Sequence, residues 1–394
     1  MSDHKVLIVG ESLSYPNGMA SAERALQIAH GFKANGWIPV LAPLRKASLG
    51  NCAASQIEGV DIVDMFSPAP SSGFLRPSRA GFRLLYCEIR KNDYEMVFSL
   101  STTAVMLFKL WLVCKLLGKQ LVYDLVEDPL GKFLNRPPKV YSPYYWYETI
   151  LFFIDGLLCY LIGWRFPSHL AVISHELEKM VKRLRISSQP SYLPILKKIS
   201  NANHAANPVS GRDICYCGSL SFAKDGIKTM LEAVSILKKN GTDVRLYMYG
   251  KGRKFDLLRM KWLVKRLCIA DNIIIAGFVT KEELVNRLES SFALVLPKPD
   301  NRQNRYNFAT KLIDYLESRR PCILSDVGEV KYFFRDRENA LIFQSRDSNQ
   351  LATALKWLME NPEKGDRIGL NGHATLVAEF DAERRIAELL HAVS

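Results

Sequence analysis

The sequence is poor in the short motifs that announce common chemistries. No G-x-G-x-x-G follows its first apolar run, Lys5–Val9. Gly10-Glu11-Ser12-Leu13-Ser14-Tyr15 stands there instead, which argues against a dinucleotide oxidoreductase. Neither a Walker A sequence nor a Gly-x-Ser-x-Gly elbow occurs, so the signatures of P-loop hydrolases and of α/β-hydrolases are missing. Asp-x-Asp is absent too, the paired carboxylate by which many sugar-nucleotide enzymes hold a divalent ion. The 8 cysteines lie mostly inside apolar runs such as Trp111-Leu112-Val113-Cys114. Only Cys215 and Cys217 are close, two residues apart in a strand-like run. With no zinc spacing, they read as buried free thiols in a reducing cytoplasm. The first residues run directly into a strand pattern, without the texture of a signal peptide. Long hydrophobic runs are scarce as well. The most lipophilic, Thr149–Trp164, is shorter than the roughly 20 residues of a spanning helix, and Asp155 interrupts it. It reads either as a buried helix or as one lying on a bilayer, flanked by Arg136, Lys139, Trp146 and Arg165.

What is present is an ordinary globular composition. The 394 residues, 48% hydrophobic and 24% charged, suggest two or three domains. A formal charge of +13 points to an anionic partner: a phosphorylated ligand, an acidic membrane face or nucleic acid. The excess is diffuse, +7 up to Ser200 and +6 beyond it, and no basic tail exists. Nucleic acid is therefore not expected, and peripheral membrane contact stays open.

Along the chain, strand-like and helix-like patterns alternate. Lys5–Val9, Ile38–Ala42, Val60–Val63, Met96–Ser99, Gln120–Asp124 and Leu170–Ile173 read as strands, with helices over Glu23–Asn35, Arg79–Lys91 and Ala104–Leu117. A polar, turn-rich stretch at 201–211 then reads as a linker. Alternation restarts with strands at Ile214–Cys217, Arg245–Tyr249, Ile273–Ala276, Ala293–Leu296 and Cys322–Ser325. Their helices are Ile227–Asn240, Arg253–Leu267, Glu282–Ser290 and Ala309–Glu317, with Leu351–Glu360 and Ala382–Ala392 closing the chain. The fold class implied is α/β: two Rossmann-like, doubly wound domains, residues 1–200 and 212–380, facing across a cleft. Ligands of such sheets sit at the carboxyl ends of the strands.

Four stretches at those ends carry candidate chemistry. Pro16-Asn17-Gly18-Met19-Ala20-Ser21-Ala22-Glu23-Arg24 joins the first strand to the first helix, and Gly18 would allow a close backbone approach. Cys217-Gly218-Ser219 leads through Lys224-Asp225-Gly226 into a helix, with Lys224 near its start. Tyr249-Gly250-Lys251-Gly252 is a second glycine loop. In Phe308-Ala309-Thr310-Lys311-Leu312-Ile313-Asp314, residues 308–310 would open a helix and present free N–H groups to an anion. Lys311 and Asp314 are three apart, hence on one helix face. The lysine could meet phosphate and the carboxylate both hydroxyls of a ribose. An ordinary surface ion pair is the plain alternative.

From Cys215 to about Phe380 the chain resembles the retaining, nucleotide-sugar-dependent glycosyltransferases of the GT-B fold, group 1 type. Cys217-Gly218-Ser219 followed by Lys224-Asp225-Gly226 is similar to the family's glycine-arginine and lysine-glycine pair on the donor diphosphate, with Ser219 where arginine is usual. Gly250 and Gly252 resemble the turn near the nucleotide, and Gly277-Phe278-Val279-Thr280 the segment that reads the base. The family's two glutamates separated by seven residues are replaced by Tyr306 and Asp314, with Lys311 in a variant pattern. The resemblance implies donor binding by Gly18, Gly218, Ser219, Lys224, Gly250, Gly252, Phe278, Ala309, Thr310, Lys311 and Asp314. It implies catalysis by Lys224 and Lys311, with Glu127 contacting the acceptor hydroxyl and His175 as a lesser candidate. The reaction implied is transfer from a UDP- or GDP-linked sugar to a glycan or lipid-linked acceptor with retention, without a metal cofactor, in surface polysaccharide or glycolipid synthesis at the cytoplasmic membrane face. The final helix, 381–394, would return to the first domain. The altered acid pair leaves two further readings: a non-catalytic nucleotide-sugar-binding subunit, or a GT-B epimerase.

Overall fold

A computed structural model describes residues 4–10, 13, 20–43, 56–63, 79–100, 103–128, 143–185, 189–199, 209 and 211–394. The chain splits into two compact units, Met1–Ile199 with Asp381–Ser394, and Ser200–Phe380. The loop containing Gly18 and most of the stretch 201–211 lie outside the described residues.

The first unit is built on β1 (Lys5–Gly10), β2 (Ile38–Pro43), β3 (Gln56–Ile57), β4 (Val60–Ile62), β5 (Met96–Leu100), β6 (Gln120–Leu125), β7 (His169–Val172) and β8 (Pro190–Tyr192). These pair in the order β3-β4-β2-β1-β5-β6-β7-β8, parallel except for the β3–β4 hairpin. Between them run α1 (Ala20–Ala34), α2 (Arg79–Asn92), α3 (Ala104–Leu117), α4 (Pro143–Leu161) and α5 (His175–Arg183). The unbroken apolar run Val6–Val9 is fully buried because helices cover both faces of a parallel sheet.

The second unit contains β9 (Asp213–Cys217), α6 (Ile227–Lys239), β10 (Arg245–Tyr249), α7 (Lys254–Arg266), β11 (Ile273–Gly277), α8 (Lys281–Ser290) and β12 (Ala293–Leu296). After them come α9 (Arg302–Tyr306), α10 (Lys311–Glu317), β13 (Cys322–Ser325), α11 (Val330–Phe333), β14 (Leu341–Phe343), α12 (Ser348–Glu360) and α13 (Pro362–Glu379). The strand order is β11-β10-β9-β12-β13-β14, all parallel. Sequence runs outward from β9 on one side and from β12 on the other. The loops leaving these two neighbours therefore diverge, and the gap between them is the ligand position of doubly wound sheets.

Two features depart from the sequence pattern. Residues 362–379 form an 18-residue helix although they hold three glycines, weak helix formers. Gly365, Gly369 and Gly372 share one face, and a Cβ on Gly369 would overlap the carbonyl of Arg319, so close packing outweighs propensity. The helix expected from Ala309 begins at Lys311, with the Ala309 and Thr310 carbonyls accepting its first N–H bonds from Leu312 and Ile313 at 3.0 and 3.1 Å.

At Phe380 the chain leaves the second unit, its ring buried against Phe308 and Phe333 at 5.5 and 5.0 Å. Asp381 then caps α14 (Ala382–Val393), and the N–H of Ala382 donates to the Lys197 carbonyl at 2.9 Å. Ile386 and Leu389 of α14 are buried in the first unit's core together with Ala25, Ile28 and Phe32 of α1.

Candidate functional site

In the second unit the loops after β9, β10 and β11 are stitched side by side. The N–H of Gly218 donates to the Tyr249 carbonyl at 2.9 Å, that of Gly250 to Gly277 at 2.6 Å, and that of Leu220 to Lys251 at 3.0 Å. Gly218 has φ +151°, and a Cβ there would overlap Nζ of Lys311 and lie 2.8 Å from Oη of Tyr216. A Cβ on Gly250 would overlap the carbonyl of Gly218. Both glycines are thus required by proximity as much as by dihedral angle.

Around Gly218 the side chains form a charged cluster on one buried carboxylate. Asp225, wholly inaccessible, accepts from Nζ of Lys298 at 2.5 Å and of Lys311 at 3.4 Å, and from the hydroxyl of Ser219. Lys311 also donates to Oη of Tyr216 at 3.1 Å, and its Nζ sits 4.7 Å above that ring. Tyr216 in turn donates to the Ser219 carbonyl at 2.9 Å. Burial alone would push the Asp225 carboxyl up, yet the Lys311 and Lys298 charges hold it far below the usual carboxylate range. For Lys298 the balance goes the other way. Burial, then the charge of Lys311, lowers it from 10.5 to about 7 against the pull of Asp225, and Lys224 adds to the push. Burial more than the surplus of positive charge drives Lys298 towards neutrality.

Asn304 fixes the loops that carry these charges. Its amide donates to the carbonyls of Lys224 at 3.0 Å and Pro299 at 2.9 Å. Ser325 at the end of β13 donates to the Lys298 carbonyl at 2.8 Å. An entering anion would find lysines on preset backbone, with Asp225 as the resident counter-charge it displaces. The neighbouring thiol of Cys217 is pushed up to about 11 by burial, although Lys311 pulls it down, and is no nucleophile at neutral pH.

The fold brings together Gly218, Ser219, Lys311 and Gly250, with Lys224 near enough for its charge to act on Lys298. Ser219, in place of an arginine, orients Asp225 instead of presenting a charge of its own. Gly252 packs on Leu220 and Leu257. Phe278 is 72% exposed just past β11, with Nζ of Lys251 stacked 4.7 Å from its ring. Asp314 lies half-buried on the first turn of α10, where its charge reaches Cys217. Lys298, Tyr216, Asp225 and Asn304 were not singled out by the sequence pattern. The available signal for Lys298 was its place directly after an apolar strand, Ala293–Leu296, and a proline.

In the first unit Glu127 follows β6, half-buried. The His175 ring packs on Tyr192 at 4.2 Å, at the start of the helix that Ser174 caps. Arg24, near the start of α1, is buried. Its guanidinium forms a bidentate pair with Asp124 at 2.7 and 2.8 Å and donates to the Leu193 and Pro194 carbonyls. The lipophilic run lies on α4, which buries Cys159 and exposes Ile150, Phe153, Ile154, Leu157 and Leu161. Asp155 accepts from the N–H of Ala104 at 2.9 Å, which accounts for an acid within that run. No helix among the described residues is long and apolar enough to cross a membrane. Nor do three histidine, cysteine or acidic side chains among them cluster as a metal site.

Residues 211–361 match the family model of glycosyl transferases, group 1. Alpha-D-kanosaminyltransferase of Streptomyces kanamyceticus is 23% identical over 169 residues, which is 42% of this chain and 41% of that protein. The match thus spans less than half of either. Sucrose-phosphate synthase from Thermosynechococcus elongatus superposes with a TM-score of 0.77 over 100% of both chains at 14% identity. HepE from Anabaena, solved in complex with UDP, gives 0.69 at 14% identity, covering 98% of this chain and 100% of that one. By sequence, residues 211–361 are similar to the group 1 glycosyl transferases, and by fold both units match these solved structures as Rossmann-like, parallel-sheet units of the GT-B fold.

Proposed function

We propose that the chain moves a hexosyl group from a nucleoside diphosphate sugar to a hydroxyl of a glycan or lipid-linked acceptor, with retention at the anomeric carbon. The observation that carries this reading is the charge cluster at the switch between β9 and β12: Lys298 and Lys311 on the buried carboxylate of Asp225, with Lys224 near enough for its charge to reach Lys298. A diphosphate entering there replaces Asp225 as the partner of the lysines. As the bond from the anomeric carbon to the phosphate oxygen breaks, that oxygen takes up the electron pair, and fixed ammonium groups stabilise the added charge without a metal. The acceptor oxygen bonds to the anomeric carbon on the same face, and its proton passes to the departing phosphate oxygen. In this scheme Asp314 accepts the ribose hydroxyls, Phe278 with Lys251 meets the base, and the Ala309–Thr310 backbone faces the phosphates. Glu127 contacts the acceptor hydroxyl. The UDP carried by HepE supports a uridine donor over GDP. The exposed apolar face of α4 supports a lipid-linked acceptor and work at a membrane surface, in surface polysaccharide or glycolipid assembly.

Titration with UDP- and GDP-linked hexoses tests the donor. One nucleotide series is expected to bind, and failure of both refutes the reading. Lys224→Ala is expected to lower turnover at least about tenfold with an unchanged melting temperature, by loss of one ammonium from the leaving diphosphate. Near-normal turnover in that variant would remove Lys224 from the mechanism.

A further inference from the structure

Helix α7 carries more charge and more exposed apolar surface than its packing requires. Met260 and Leu263 are buried, and Leu257, Val264 and Leu267 pack against the same core, which defines the inner arc of the helix. Phe255, Leu258 and Trp262 recur at spacings of three and four, so they form one strip, and they are 74, 57 and 57% exposed. At 3.6 residues per turn, Arg259 and Arg266 border that strip on one edge, and Lys254, Lys261 and Lys265 on the other. Asp256, the one acid of the helix, is half-buried on the core side.

The arginine edge is already organised on aromatic rings. The Arg266 guanidinium lies 5.1 Å from the ring of Trp262, and that of Arg259 lies 4.4 Å from Phe222. Between α6 and α7 these side chains line a cavity of about 430 Å³. On its far wall Glu232 is paired with Lys228 at 3.4 Å, which leaves the mouth of the cavity cationic.

We infer that α7 is a docking surface for an anionic lipid bilayer. An apolar strip with long cationic chains on both edges suits a helix lying flat at an interface. The rings and leucine enter the acyl boundary while lysines on one side and arginines on the other reach lipid phosphates. A protein partner would need an apolar ridge bounded on both edges by acids. A sheet of anionic headgroups supplies that complement everywhere along the helix. The inference is independent of the transferase reading, because the surface lies on the outside of α7 and no donor or acceptor is needed for it to act.

The test is sedimentation of the whole protein with vesicles of phosphatidylcholine alone or mixed with phosphatidylglycerol. The wild type is expected to bind the mixed vesicles, more weakly as salt rises, and to ignore the neutral ones. Phe255→Ser with Trp262→Ser, and separately Lys261→Glu with Lys265→Glu, should each lower that binding at least about tenfold. Both pairs are exposed, so unchanged melting curves check the fold, and donor affinity should match the wild type. Trp262→Phe should retain binding. Wild-type-like binding by both double variants, equal binding to neutral vesicles, or binding to a soluble polyanion but to no vesicle would each overturn the proposal.

Discussion

Replacing Gly218 by alanine probes the charge cluster through a single methyl group. The residue has φ +151°, where an L side chain is strained by about 1–3 kcal/mol. The new Cβ would also overlap Nζ of Lys311 and approach Oη of Tyr216 at 2.8 Å. Lys311 must swing away, losing its bonds to Asp225 and Tyr216, and a phosphate would lose one charge-assisted contact, about 1.5–3 kcal/mol or roughly 10–100-fold in affinity. For a unit of this size the strain lowers the melting temperature by about 3–10 °C. Gly241→Ala is the matched control, since Gly241 has φ +74° but nothing lies within 4 Å of its Cβ. Thermal melting and calorimetric titration with the nucleoside diphosphate read both effects. Gly218→Ala should lose stability and affinity, and Gly241→Ala stability alone. If Gly218→Ala binds the nucleotide as tightly as the wild type, Lys311 is not in the phosphate site.

Lys298, lowered to about 7 by burial and by Lys311, should regain its proton when a diphosphate arrives. Nucleotide binding above pH 7 should therefore take up protons and weaken with rising pH. Calorimetry in buffers of different ionisation heat detects this, and an absence of uptake, or its persistence in Lys298→Met, refutes it. Because the unfolded lysine holds its proton up to 10.5, this group makes the fold more stable as pH rises from about 7 towards that value. Arg24→Met leaves Asp124 buried without its bidentate partner and should destabilise the first unit by about 3–5 kcal/mol, read as a shift in the denaturant midpoint. A shift much smaller than that would show that the pair is not what joins α1 to the ends of β6 and β8.

Residue order is enough for the alternation of strands and helices and hence for both sheets. The runs Val6–Val9 and Ala293–Leu296 can only be buried strands, and the amphipathic stretches between them can only cross over. It also marked Gly218, Gly250 and Lys311 by residue type and position. Helix propensity is a weak guide where packing outweighs it, as in residues 362–379, which form a helix because their glycines face Arg319 and its neighbours. Lys298 and Asp225, 73 residues apart, could not be paired from sequence. Only the strand order, with β9 beside β12, sets their loops together, and only burial makes one carboxylate the shared partner of two lysines. The same holds for α7. Its sequence shows cations and aromatics, but which of them face outward was decided by Met260 and Leu263 being drawn into the core. Hydrophobic spacing is a local property that a chain carries in its order. The distance between two charges, and the water removed from between them, exist only after the sheets have closed.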